Sequence, residues 1–488
     1  VTTAVVVGGG PNGLAAALHL ARNGVEVTVL EAADEVGGGA RSGELTVPGV
    51  IHDHCAAFHP LGMGSPFWQS VGLERYGLSW CLPPVDCAHP LDTGEAGLLY
   101  RSIDETARAL GRDGRRWRLA FGDLAAGFDD LAADLLRPIV HVPRHPIRLA
   151  AFGPRALLPA SAMARLFRTD TARALFGGIA AHAFTRLDRP LTASLGMMIA
   201  ASGHRYGWPV ARGGSGAITA AAAAALGAHG GRIETGVPVT RSTDIPPADL
   251  VLLDLSPAQA LALYGDQMPS RVATSLKRYR VGSSAFKVDY AIAGDIPWRN
   301  PACADAGTVH LGGDLTEICH TERRRAAGIM VQRPFVLLGQ QYVADPSRSR
   351  DGVNPIYAYA HVPRGFDGDA TEAVTAQIER FAPGFRDRII AVHSTGTAEL
   401  HRHNRNFAFG DIIGGANDGL QMLFRPRVAV NPYALGIDGV YLCSQSTPPG
   451  AGVHGLCGFH AASSALAELR RRPTRSAGSN GRGHRVSR

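Results

Sequence analysis

The stretch that most limits what this chain can fold into is its beginning. Residues 4–10 read Ala-Val-Val-Val-Gly-Gly-Gly, and Pro11-Asn12-Gly13 open an Ala/Leu-rich run that ends near Asn23-Gly24. Val25-Glu26-Val27-Thr28-Val29-Leu30-Glu31 follows. An apolar run, a glycine cluster, a helical run and a second β-branched run predict strand, tight turn, helix, strand, with Gly8, Gly10 and Gly13 in G-x-G-x-x-G spacing. Gly8 permits the turn, Gly10 lets the backbone approach a pyrophosphate, and Gly13 lets helix and strand pack closely. The helix start offers free N–H groups and partial positive charge to phosphates. Glu31, at the end of the second strand, is placed to accept hydrogen bonds from a ribose. The order of these parts predicts a dinucleotide site; the alternative is a glycine-rich turn in an ordinary α/β fold.

A second glycine cluster, Val36-Gly37-Gly38-Gly39-Ala40-Arg41-Ser42, follows the acid closely. A Gly-Gly turn and an Arg at this place are typical of FAD proteins of the glutathione-reductase/amine-oxidase superfamily, so FAD is the expected dinucleotide. The chain of 488 residues has room for two cores. Its net charge of +7 is concentrated at the end, where Arg470 to Arg488 holds seven Arg and no acid. That Gly/Ser/Arg-rich tail is expected to be disordered, and no nucleic-acid partner is expected. Seven cysteines with no C-x-x-C pair fit reduced thiols and argue against a dithiol–flavin disulfide reductase. No apolar run reaches the length of a membrane span, and no leader precedes the first strand; a cytoplasmic location is the expectation.

Further along, the segment through His52-Asp53-His54-Cys55 and Phe58-His59-Pro60 leaves the nucleotide-binding unit. Residues 86–206 read as mostly helical, with one long stretch from about Ile103 to Leu136 and a Pro-interrupted part after it. The amphipathic pieces Ile147–Ala150 and Leu157–Leu166 either cap an apolar pocket or rest peripherally on a membrane surface. Gly213-Gly214-Ser215 opens an alanine helix, Arg232–Gly236 and Val237-Pro238-Val239 read as short strands, and Leu250–Asp254 reads as a buried parallel strand. Residues 282–401 are β-rich. Gly450, Gly452 and Gly455 repeat the G-x-G-x-x-G spacing, but no strand and acid follow, so this turn is read as placing a helix N-terminus against a flavin ring.

With both ends in place, the chain resembles the bacterial phytoene desaturase-like family of FAD oxidoreductases, in the flavin amine oxidase superfamily. Its non-carotenoid branch includes the pyridine nucleotide-disulfide oxidoreductase domain-containing 2 type. The motifs that carry the likeness are Val7-Gly8-Gly9-Gly10-Pro11-Asn12-Gly13-Leu14, Gly37-Gly38-Gly39, Gly213-Gly214 and Tyr441-Leu442-Cys443-Ser444 through Pro449-Gly450-Ala451-Gly452-Val453-His454-Gly455. The resemblance implies an α/β fold: a Rossmann-like FAD-binding domain of glutathione-reductase/p-hydroxybenzoate hydroxylase type with a discontinuous substrate domain of mixed sheet and helical cap. Segments 1–85, 207–265 and 406–470 would bind FAD, 86–206 and 266–405 would form the substrate domain, and 471–488 the basic tail. Gly8, Gly10, Pro11, Asn12, Gly13, Glu31, Ala32, Gly38, Gly39 and Arg41 would hold the ADP half. Val239 would meet adenine through its backbone, and Ser444, Gly452, Val453 and His454 would reach the flavin side. Many relatives carry Gly-Asp or Gly-Glu where this chain has Cys443-Ser444. No Cys lies between Gly396 and Leu442, where covalent flavins attach in amine oxidases, so FAD would be non-covalent.

The superfamily's chemistry is hydride transfer to flavin N5 with loss of a proton. Lys287 is the first candidate: the 49 basic residues include only two lysines, Lys277 and Lys287, so a Lys persists there against a strong Arg bias. It would order a water or take a proton near N5, as in amine oxidases; otherwise it belongs to a solvent-facing Lys–Asp face of an edge strand. His59 and His454 are the other candidates for proton transfer. His401 and His403 share a strand face but lack a third ligand, so no metal is expected. The leading reading is an FAD-dependent dehydrogenase or desaturase of an apolar, lipophilic molecule, passing electrons to oxygen, a quinone or another carrier. Amine oxidation and a non-catalytic flavin-binding protein are the alternatives.

Overall fold

In the computed structural model, residues 1–471 are described, and the basic-tail expectation lies outside them except for Arg471, which ends the last helix. The first strand, Thr3–Val7, is the middle of a five-stranded parallel sheet. Glu26–Leu30 and Arg232–Glu234 lie on one side of it, Leu250–Leu253 and Val440–Leu442 on the other. Val6 faces Val29 and Leu252 in register. A strand covered on both faces must be apolar, which is why Thr3–Val7 and Leu250–Leu253 read as continuous apolar runs, whereas the edge strand Arg232–Glu234 alternates. Three chain segments far apart in sequence thus build one nucleotide-binding sheet.

Helix Pro11–Ala21 leaves the first strand, and the last helix, Leu456–Arg471, packs along it. The approach is close because glycines allow it. A Cβ on Gly458 would sit 1.8 Å from the Asn12 carbonyl oxygen, and one on Gly13 would sit 2.0 Å from that of Gly8. Gly458, three residues past the second glycine repeat, therefore seats helix on helix.

The second sheet has seven strands, in the order Ile389–Thr395, Ser284–Ala293, Val353–Val362, Val336–Gly339, Ala306–Leu311, Val85–Pro90, Ala96–Leu99. All neighbours are antiparallel except Ala306–Leu311 with Val85–Pro90. Phe286, Val288, Tyr290 and Ile292 alternate onto one face and join a core with the helix Thr371–Phe381. The cap is the helical region Ile103–Tyr206, closed around Trp117, Phe121, Phe167 and Phe176.

Local expectations changed in three places. Val237-Pro238-Val239 is irregular rather than a strand: Val237 N donates to Glu31 O at 2.9 Å, and Pro238 has no N–H for a ladder. His401-Arg402-His403 ends the helix Thr397–His403 instead of lying on a strand. The β-rich stretch also holds the helix Leu315–Ala326. Among the described residues the cysteines are free, and no helix is long and apolar enough to cross a membrane.

Candidate functional site

A cleft of about 410 Å³ opens at the carboxyl ends of the parallel strands, where open α/β sheets bind ligands. Of the residues named for FAD, Gly8, Gly10, Pro11, Asn12, Glu31, Ala32, Gly38, Gly39, Arg41, Val239, Gly452 and Val453 line it. Gly13, Ser444 and His454 do not. Gly13 stands behind the turn, pressed on Gly8. Ser444 is buried, its hydroxyl accepting from Ser446 N at 3.3 Å, and Gln445 lines the cleft in its place.

The floor of the cleft is made by the glycine turn and one acid that the sequence did not announce. Asp254, at the end of its strand, accepts from Gly13 N at 2.9 Å through Oδ2. A Cβ on Gly10 would come within 2.7 Å of that oxygen, so only glycine fits. Burial raises the Asp254 carboxyl to about 7, against the lowering pull of the Gly13 N–H. Asn12 Oδ1 is buried beside it with no protein partner. Glu31 accepts from Gly9 N at 2.6 Å and from Ala33 N at 2.9 Å, which aims its carboxylate along the rim. An unsatisfied amide side chain, a helix start led by Gly10 and Pro11, and an acid at the second strand's end fit an adenine dinucleotide.

The opposite wall is residues 402–407, which the sequence reading weighed only for metal. Arg41 donates to Gly38 O at 3.1 Å and to His403 O at 2.6 Å. Asn406 donates to Asp254 O at 2.9 Å and accepts from Ser256 N at 2.7 Å. These bonds strap residues 402–407 across the cleft. The exposed guanidinium groups of Arg402 and Arg405 lie on its lining. A run of alternating Arg, His and Asn was the available signal. Among the described residues no group of three or more His, Cys, Asp or Glu has metal-binding geometry.

The far end of the cleft is Cys55, Ala56, Ile412, Gln445 and Ala451–Val453. Behind it lies an apolar cluster of Ala57, Phe184, Ala285, Leu337, Tyr357, Tyr359 and Leu400, against which Phe58, Ile412 and Ile413 pack. Residues 55–58 and Ile412 make cleft and cluster continuous. Phe184 sits here at φ 52°, a strained backbone for a bulky residue, with its ring 5.7 Å from that of Tyr359.

Lys287 lies one layer behind Cys55. It is 2 % exposed on a strand paired on both edges, so the solvent-facing edge-strand reading is overturned. Its ammonium is ion-paired to Asp289 and stands 4.7 Å from the Tyr357 ring centroid. The Tyr357 hydroxyl donates to the Cys55 carbonyl. Asp289 Oδ1 faces His52 Nδ1 at 3.4 Å, and His52 Nε2 meets the half-exposed Thr46 hydroxyl at 2.8 Å. Burial alone would raise the Asp289 carboxyl, but Lys287 and then His52 hold it below the ordinary value. A row of polar groups thus runs from Lys287 towards the surface, with Asp289 Oδ1 and His52 Nδ1 facing each other in ion-pair contact and making no hydrogen bond.

His59 and His454 are placed differently. His59 Nε2 meets Ser215 Oγ at 2.8 Å, and Ser215 N donates to Asp53, which is paired with the fully buried Arg348. His454 Nδ1 accepts from Leu456 N at 3.0 Å, turned into the start of the last helix. Burial lowers each imidazole to about 4, so both are neutral near pH 7. Neither lines the cleft.

Nucleotide sheet, cleft at the strand ends and a second sheet of antiparallel strands across it form one arrangement. The fold is one shared with solved oxidoreductases. Residues 6–71 match the NAD(P)-binding Rossmann-like domain model. The chain is similar to pyridine nucleotide-disulfide oxidoreductase domain-containing protein 2 of Rattus norvegicus, at 24% identity over 96% of this chain and 94% of that protein. It is also similar to hydroxyneurosporene desaturase of Cereibacter sphaeroides, at 28% identity over 95% of this chain and 97% of the relative. Among solved structures, an oxidoreductase from Methanosarcina mazei superposes with a TM-score of 0.61 at 14% identity, over 96% of this chain and 100% of the other. Putrescine oxidase bound to putrescine superposes with a TM-score of 0.60 at 15% identity, over 96% and 99%. The relatives and neighbours thus include both a desaturase and amine oxidases, on one shared fold.

Proposed function

We propose that the chain binds FAD non-covalently and dehydrogenates an uncharged, apolar organic molecule. The observation that carries this reading is the apolar and aromatic cluster continuous with the cleft at Cys55–Phe58 and Ile412. An ammonium substrate would call for a free carboxylate there. The nearby acids are already engaged: Glu322 with Arg325 and His361, and Asp289 with Lys287. That favours a desaturase-like over an amine oxidase-like substrate, in line with the similarity to hydroxyneurosporene desaturase.

When bound, FAD supplies the two-electron acceptor. Glu31 holds the ribose, Asn12 and the helix start hold the pyrophosphate, and Arg402 and Arg405 neutralise its charge from the opposite wall. Tyr357, Tyr359 and Phe184 orient the substrate by shape and exclude water. Lys287 gives an ammonium proton to Asp289 as it takes one from the substrate side, and His52 and Thr46 lead the proton outwards.

The test is the absorption spectrum of the purified protein, release of the chromophore by acid or heat, and anaerobic titration with a panel of alkenes and amines. Released FAD that bleaches with alkenes or other apolar donors supports the proposal. Bleaching only by amines replaces it with the oxidase reading, and a protein that stays colourless after incubation with FAD defeats it.

A further inference from the structure

A buried ring nitrogen at the inner end of the apolar cluster has no protein partner. His361 is 1 % exposed, and among the described residues its Nε2 finds no hydrogen bond. A buried polar atom left in this way is costly, so it marks a place that something else completes. The ring itself is fixed. Its Nδ1 meets Glu322 Oε1 at 2.7 Å, while Glu322 Oε2 accepts from Arg325 Nη2 at 2.7 Å and from Arg325 Nε at 3.1 Å. Burial alone would raise the Glu322 carboxyl, but Arg325 and then His361 hold it below its ordinary value. An ionised carboxylate only accepts, so the ring hydrogen sits on Nδ1 and, in the neutral ring, Nε2 presents a bare lone pair. Arg325 already matches the carboxylate's charge, so the group that completes Nε2 is a neutral donor.

Strand Val353–Val362 carries Tyr357, Tyr359 and His361 on one face, two residues apart. Tyr357 reaches the far end of the cleft through its bond to the Cys55 carbonyl. His361 lies four residues further along, roughly 13 Å away at the usual strand rise. Between them the wall is apolar: Tyr359 stands opposite Leu337, and Ala285 opposite His361. Phe184 lies over the His361 ring, 4.0 Å between centroids, and Phe335 flanks it at 5.0 Å. The neighbouring imidazoles are engaged with one another. His182 Nε2 meets His310 Nε2 at 2.9 Å, and His310 Nδ1 meets Cys87 Sγ at 3.3 Å.

We propose that His361 Nε2 accepts a hydrogen bond from a hydroxyl group of the substrate, so that the molecule taken here is an apolar alcohol. Its oxygen sits at the inner end of the cluster, and its hydrocarbon body runs along Tyr359 and Tyr357 towards the cleft. Glu322 is a positioning residue, which fixes the tautomer of the ring. Phe184, whose φ of 52° strains its backbone, is the side chain that turns aside to admit the hydroxyl. That substrate class narrows the apolar one proposed above and rests on it.

The test is binding of octanol and dodecanol, their methyl ethers, and octane and dodecane to the full chain, read by quenching of intrinsic tryptophan fluorescence. An ether keeps the apolar body and the oxygen but has no hydrogen to give. Each alcohol should bind about tenfold more tightly than its ether, and this ratio should fall to near unity in His361→Phe. His361→Asn keeps a donor for Glu322 while withdrawing the ring nitrogen; it should abolish the same preference, and it serves if His361→Phe disturbs the melting profile. Alcohol and ether binding alike would show that a fixed water completes Nε2, overturning the hydroxyl assignment and leaving the apolar-substrate reading intact. A preference that survives both substitutions would assign the hydroxyl to another acceptor and overturn it as well. Failure of every compound to bind, alkanes included, would remove the apolar-substrate reading and the hydroxyl assignment together.

Discussion

Replacing Lys287 by Met removes one partner of an ion pair whose side chains are 3 % and 0 % exposed. At a separation of roughly 3 Å and an effective dielectric of about 20, the lost attraction is about 5–6 kcal/mol. Breaking one side of a buried pair costs about 3–5 kcal/mol, because the remaining charge is stranded. Lys287→Met should therefore destabilise the fold by about 3–5 kcal/mol near pH 7. The sign of its pH dependence follows from Asp289. In the wild type that carboxyl is held below its ordinary value, so its contribution is present above the unfolded-state pKa and fades as pH falls through the folded one. Without Lys287, burial dominates and the carboxyl is pushed up, so the variant's deficit grows as pH rises from acid. Lys287→Met combined with Asp289→Leu removes both charges, and replacing a buried pair by apolar groups is about neutral or stabilising. The double variant should thus recover its denaturant midpoint, read by intrinsic fluorescence, while anaerobic flavin bleaching by the donor found above stays slowed about a hundredfold or more. Recovery of both stability and bleaching would show that the pair only fills the core. An unchanged midpoint in Lys287→Met would refute the buried-pair account.

Asp254 gives the opposite pH trend. Its carboxyl is raised from 3.8 to about 7 by burial, so it stabilises the fold below pH 4 and that contribution is lost as pH rises towards 7. At 1.36 kcal/mol per unit the change is about 4 kcal/mol; denaturant midpoints of Asp254→Asn measured at several pH values should lack this decline. Gly13→Ala places a methyl 2.0 Å from a backbone oxygen, and the protein should be recovered without tightly bound FAD, read as the flavin-to-protein absorbance ratio. His52→Ala interrupts the row from Asp289 to Thr46, so flavin reduction should slow and imidazole in the buffer should restore it. Slowing that imidazole leaves untouched would assign the ring a packing role.

The nucleotide-binding half was legible because local and tertiary demands coincide there. A strand, a glycine turn and a helix in sequence order are also neighbours in space, and Gly8 at φ 104° and Gly38 at φ 52° occupy a backbone region that other residues avoid. Glu31 was readable for the same reason. Asp254 was not, since its value comes from a burial that only the neighbouring strand and Gly13 create. The wall at Arg402–Phe407 was missed because its meaning lies in bonds to Arg41 and Asp254, more than a hundred residues away in the chain. Lys287 shows the division most clearly. Composition alone marked it as unusual, and alternation put Phe286, Val288 and Tyr290 on the face opposite to it. Whether its own face met water or protein depended on the strands on either side, Ile389–Thr395 and Val353–Val362, and on His52 arriving from a distant part of the chain. Periodicity tells which residues share a face; only tertiary packing decides what that face meets, because the partners are brought by distant chain.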